Sequence, residues 1–199
     1  MSGVGADVLL DVCAALTKRH VGDAGAILRD RYPFEPPSNG KRQSGPALDV
    51  PIFIRDGFLD RYSGERLVFP GTLRLLSRLL PDEFPYHPNW KTSACHLAYW
   101  ELSPTIDHIV PLSRGGANIE SNLATTSMLR NSAKANFTLD ELGWSLHPRG
   151  ALDEWDGLMN WFLIQVEENP TILDDKLRNW QRAAQTAKVR TAPGSGTIE

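Results

Sequence analysis

Cysteine is scarce in this chain: Cys13 and Cys95 are the only two in 199 residues. That is too few for a disulfide framework, or for a structural zinc site built mostly of thiolates. Long apolar runs are also missing, and no segment approaches the roughly 18 residues of a membrane span. The first ten residues have no basic stretch, and Asp7 and Asp11 flank and interrupt their apolar character, so no signal peptide is expected. These absences point to a soluble, cytoplasmic protein with reduced thiols and no membrane partner. Basic charge is in short supply too, with 21 Lys and Arg against 24 Asp and Glu for a net charge of −3. A nucleic-acid binder usually carries a basic footprint, and the total shows none. The deficit is uneven, however. Residues 151–199 hold eight acidic and five basic residues, so the first 150 are formally neutral. The charge therefore argues against tight non-specific adhesion to nucleic acid without excluding it as a substrate.

What is present is ordinary globular usage, 41% apolar and 23% charged, in a chain long enough for one sizeable domain. Three parts are expected: an N-terminal helical segment and linker over 1–45, a central domain over 46–150, and a C-terminal helical extension with a frayed tail over 151–199. The linker is the Pro/Gly/Ser-rich stretch of residues 36–46. Cys13, on an apolar helical stripe with Val8 and Val12, is expected in the core. Residues 51–69 mix β-branched and aromatic residues with turn signals at Asp56-Gly57 and Ser63-Gly64. A helix is predicted over 72–80. Residues 104–113 read as a strand entering a loop that turns at Gly115-Gly116, and residues 122–126 as a second strand. Ser127 is placed to cap a helix over 128–136, and Thr138 to Glu141 has the form of a capping box. Further helices are predicted over 155–167 and 172–189. The fold class is α+β.

One stretch carries chemistry, Thr105 to Asn136. Asp107-His108 precedes the Gly-Gly turn, Asn122 follows His108 by fourteen residues, and Asn131 follows Asn122 by nine, with Lys134 three further on. Hydrolysing a phosphodiester needs a base for water, neutralisation of the phosphate, and stabilisation of the leaving oxygen. Histidine, with an ordinary pKa near 6.5, accepts a proton at neutral pH. A carboxylate with an amide carbonyl is a hard-oxygen set suited to Mg2+, which fills its shell with water and phosphate oxygens. His108 can supply the base, and Asp107 and Asn131 the ligands.

This arrangement resembles the HNH endonuclease family, whose ββα-metal motif is two antiparallel strands joined by a loop and followed by a helix. The resemblance rests on Asp107-His108, Ile109 to Leu112, Gly115-Gly116, Asn122-Leu123, and Asn131 with Lys134. It implies a DNA endonuclease in which His108 activates water and Asp107 and Asn131 hold one divalent cation, Mg2+ or Mn2+. Asn122 then braces the loop that orients the histidine, and the products carry 5′-phosphate and 3′-hydroxyl ends. Arg130 and Lys134 are the natural phosphate contacts on the following helix. Many members also carry a zinc knuckle of the form R-D-G-F-x-C-x-Y-C-G. Here Arg55 to Gly64 follows it except at the ligands, where Asp60 and Ser63 replace the cysteines. Zinc is therefore not expected.

Regular strand geometry raises one difficulty, because Asp107 and His108 would point to opposite faces unless the strand ends or bulges there. Two other readings use the same frame: a nucleic-acid-binding or protein-interaction module without turnover, and a nuclease toxin. A single site per chain would nick one strand, as a monomer, and two-strand cleavage would call for a homodimer or for sequential events. His20, His87 and His147 have no companions, and His96, about ten residues before the motif, could face substrate, against the plainer reading of a packed or exposed loop histidine. Arg74 and Arg78 on the 72–80 helix, and Trp90 and Trp100, are candidates for contact with nucleic acid, against the plainer readings of a solvated face and ordinary packing.

Overall fold

The computed structural model describes residues 4–33 and 45–191. Most of the linker expected over 36–46, and the tail from 192 onward, lie outside the described residues. The chain divides into two compact units, Met1–Asn39 and Gly40–Glu199.

In the first unit, α1 (Val4–Thr17) and α2 (Val21–Arg31) pack Val8, Val12 and Ala24 together. An Arg31–Asp11 ion pair at 2.6 Å ties the two helices. Cys13 lies next to this stripe but is exposed, contrary to the expectation of a core position, since one residue turns the helix by about 100°.

In the second unit, α3 (Pro46–Arg55) occupies part of the segment that reads as mixed strand and turn. It forms despite Pro51 because Val50, Phe53 and Ile54 share one face and bury together. Pro51 costs one main-chain hydrogen bond, and the apolar face outweighs it. Both turn signals hold, with Gly57 and Gly64 at φ +67° and +76°. An antiparallel bridge between Leu59 and Arg66 lies across the second turn. Then come α4 (Pro70–Leu79), the short α5 (Ala98–Glu101), and a two-stranded antiparallel sheet of β1 (Pro104–His108) and β2 (Leu123–Ser127). Directly after β2 runs α6 (Met128–Lys134), capped by Ser127, whose hydroxyl accepts from Arg130 N. The capping box forms at Thr138 and Glu141 and opens α7 (Leu139–Leu142).

The C-terminal helices are α8 (Met159–Glu168) and α9 (Asp175–Thr191). The first starts later than its sequence suggests. Gly157 and Leu158 both take positive φ, and Asp156 accepts hydrogen bonds from Leu158 N and Asn160 N at 2.9 Å. The upstream Trp155 instead donates its indole N–H to Leu67 O at 2.7 Å. These helices are part of the main core rather than an appendage: Phe162, Val166, Leu177 and Ala184 cluster with Phe53, Phe58 and Phe69. The architecture is α+β, a small antiparallel sheet among helices. No helix among the described residues is long and apolar enough to cross a membrane.

Candidate functional site

The loop between β1 and β2 is held by Asn122. Its Oδ1 accepts from Val110 N, and its Nδ2 donates to Val110 O and Ala117 O, each at 2.9 Å. Gly115 turns the chain at φ +83°. Gly116 passes so close that a Cβ there would collide with Val110 O and stand 2.9 Å from Asn122 Nδ2. Those two glycines let one amide side chain satisfy three main-chain groups.

Pairing runs unbroken to the end of β1, with Asp107 opposite Ala124 and His108 opposite Leu123. No bulge intervenes, so Asp107 and His108 face opposite ways. His108 borders a cleft of about 710 Å³ shared with Thr105, Asn118, Glu120 and Asn131. Its Nε2 lies 3.0 Å from Asn118 Oδ1. Asp107 does not line this cleft. Its Oδ2 accepts from Tyr62 Oη and pairs with Lys134 Nζ, both at 2.8 Å. Burial, reinforced by the adjacent Asp107 charge, pushes the Tyr62 hydroxyl far above its ordinary pKa, so it remains a donor.

α6 lies along β1 through Asn131 and Lys134, which are three residues apart and so share one helix face. Asn131 Nδ2 donates to Thr105 Oγ1 at 2.9 Å and reaches Ile106 O at 3.4 Å. A carbonyl oxygen only accepts, so this orients the amide. Lys134, expected at a phosphate, is 0% exposed. Its second contact is His108 O at 2.8 Å, which leaves it inside the protein rather than on a surface open to substrate. Arg130 also faces away from the His108 cleft, toward Asp60 and Glu65 at 3.8 and 3.9 Å and over the Trp144 ring.

The segment resembling a zinc knuckle is stitched by carboxylates. Asp60 accepts from Tyr62 N and Ser127 N at 2.9 Å and from Thr126 Oγ1 at 3.0 Å. Asp56, itself fully buried, receives a fork of two 2.9 Å bonds from Arg55, a 3.0 Å bond from Arg61, and Thr125 N at 2.8 Å. Arg149 stands 3.4 Å away. Burial works against the Asp56 charge, but the hydrogen bonds from Arg55 and Thr125 outweigh it and hold the carboxyl below its ordinary 3.8. The outward N–H groups of β2 at 125 and 127 are thus capped by two aspartates, and Arg61 N closes Thr125 O at 2.8 Å. An exposed sheet edge is thereby covered without a third strand.

Sequence reasoning passed over Asn118 and Tyr62 as site residues. Tyr62 sat in a recognisable template, yet its link to Asp107 spans 45 residues and has no sequence signature. Asn118 is a loop residue that only the folded turn carries to His108. His96 is an exposed loop histidine, stacked on Phe84 at 4.3 Å between centroids.

Among the described residues no group of three or more His, Cys, Asp and Glu could hold a metal. A cation here would rely on few protein ligands, as Mg2+ tolerates. Asp107 and Asn131 are the hard-oxygen groups that the resemblance assigns to it, but only Asn131 lines the His108 cleft; Asp107 lies outside it, against Tyr62 and Lys134. Asp107 and Asn131 each have one terminal atom fixed by hydrogen bonds, and neither Oδ1 accepts a hydrogen bond among the described residues. Comparison with protein-family models, with curated proteins and with solved structures finds no match to this chain.

Proposed function

We propose that this chain is an HNH-type, ββα-metal endonuclease that hydrolyses phosphodiester bonds in DNA with a divalent cation, in the cytoplasm. The observation that carries the reading is the setting of His108. Its Nε2 lies 3.0 Å from the amide oxygen of Asn118, an acceptor that pairs with the tautomer protonated at Nε2. Nδ1 then keeps its lone pair, the tautomer a general base needs to take a proton from water. The main chain around His108 is held from both sides: Lys134 donates to His108 O, and Asn122 ties Val110 just beyond the strand end.

By the resemblance, Asp107 and Asn131 would hold Mg2+ or Mn2+. When bound, that ion supplies charge neutralisation at the phosphate and the departing 3′ oxygen. Tyr62 and Lys134 orient the Asp107 carboxylate, and Thr105 orients the Asn131 amide. The 5′-phosphate and 3′-hydroxyl products follow from the family resemblance, and zinc is not expected because Asp60 and Ser63 stand where the knuckle cysteines would be.

The test is cleavage of supercoiled plasmid across a Mg2+ and Mn2+ series by the full chain and by His108→Ala. General-base catalysis is worth on the order of 10²–10⁴-fold, and a loss of that size with an unchanged circular dichroism spectrum is expected. Wild-type cleavage by the variant would refute the assignment.

A further inference from the structure

The His108 cleft does not end at the catalytic strand. It shares Pro70, Trp90, Ser103 and Trp180 with a second depression of about 320 Å³. That depression shares Arg74 and Tyr86 with a third beside α4. One groove therefore leads from His108, past two indoles, to Arg74.

Its middle section has the chemistry of an unpaired nucleotide site. Arg74 and Lys176 line it, and no carboxylate does. The Arg74 guanidinium lies 3.6 Å over the Tyr86 ring, and its buried Nε has no hydrogen-bond partner among the described residues. Trp90 and Trp180 are half-buried, and their ring neighbours meet them at steep angles: 60° and 77° for Trp90, 83° for Trp180. Among the described residues, neither indole is covered by a parallel ring. Trp90 also takes a left-handed backbone, φ +49°, costly for a bulky residue and characteristic of functional sites. Carboxylates occur only towards the ends, Asp49 and Glu120 near His108 and Asp174 in the third depression, where it faces Arg78 at 3.6 Å.

We propose that this groove takes a single-stranded DNA segment. A base lodges against Trp90 and Trp180, phosphates lie on Arg74 and Lys176, and the strand runs on to His108. Paired bases are stacked inside a duplex and cannot offer a face to a recessed indole, whereas an unpaired base can. The cationic middle suits a phosphate backbone. That the strand is cut at His108 rests on the nuclease reading; that it is bound does not.

The experiment is fluorescence anisotropy of the full chain in EDTA with labelled oligo(dT), a hairpin duplex of equal length and oligo(rU), with intrinsic tryptophan quenching followed in parallel. Oligo(dT) is expected to bind about tenfold or more tighter than duplex and to quench tryptophan. Arg74→Gln and Lys176→Glu should each weaken it by about tenfold, as loss of one charged hydrogen bond predicts. Lys176 is exposed on α9, so its variant tests the groove even if Arg74→Gln unfolds. Equal affinity for duplex, or unchanged binding by folded Lys176→Glu, overturns the proposal, and tighter binding of oligo(rU) overturns the choice of DNA. Groove-dependent binding of oligo(dT) with no cleavage in any metal would uphold the groove and defeat the nuclease reading instead.

Discussion

Replacing Lys134 by Met separates two accounts of this residue. If Lys134 were a surface phosphate contact, Lys134→Met would leave stability unchanged, weaken DNA binding uniformly and lower the salt dependence by about one charge. The structure dictates another outcome. The ammonium is fully buried, 2.8 Å from Asp107 Oδ2 and 2.8 Å from His108 O. Met keeps most of the apolar stem and removes the charge, leaving the Asp107 carboxylate with Tyr62 as its remaining donor. Removing one partner of a buried pair costs about 3–5 kcal/mol. Asp107 keeps the 2.8 Å Tyr62 bond and its side chain is 10% exposed, which puts the cost at the low end, about 3 kcal/mol. For a chain of this length that lowers the melting temperature by roughly 6–12 °C. Adding Asp107→Asn removes the stranded charge and should restore about 1–2 kcal/mol, a coupling that a double-mutant cycle in urea resolves. A stability loss under about 1 kcal/mol for Lys134→Met, with no coupling to position 107, would refute the buried-pair argument.

Three further outcomes follow from the same network. Asp56 has its pKa lowered on folding, so its contribution is complete above the ordinary 3.8 and is lost as pH falls through the lower, folded value. Urea midpoints should drop below that pH, and Asp56→Asn should flatten the drop while costing stability at neutral pH. Gly116→Ala should displace Val110 and Asn122, losing about 2 kcal/mol from two hydrogen bonds and impairing cleavage more than melting, as paired thermal and plasmid assays would show. Asn118→Ala frees the His108 tautomer and should cut kcat by about tenfold with KM unchanged. Asn118→Asp should restore turnover with the acidic limb of the pH profile moved upward, because a carboxylate favours the imidazolium.

Local patterns in this chain were legible where a short-range rule decides them. The Gly115-Gly116 turn, the Ser127 cap, the Thr138–Glu141 capping box and the two strands each depend on neighbours within a few residues. The segment 46–55 was not legible in that way. Pro51 and the β-branched residues read against a helix, and only α9, packing on the face of Val50, Phe53 and Ile54, makes one. The late start of α8 has the same kind of cause, since Trp155 is drawn off to Leu67 O, 88 residues away.

For the candidate site, Asp107, His108, Asn122 and Asn131 stood out because their types and order resemble the HNH motif, which implies a base, two hard-oxygen ligands and a loop brace. Spacing carries no information about what lies across the sheet. Whether Lys134 meets solvent or Asp107, whether Arg130 faces the cleft or Asp60, and which side chain selects the His108 tautomer depend on packing between residues far apart in sequence. Residue identity and order set which groups are available for chemistry. The tertiary structure alone decided their partners, turning two aspartates at the missing knuckle into the clasp of β2 and a lysine that reads as a surface charge into a buried counterion.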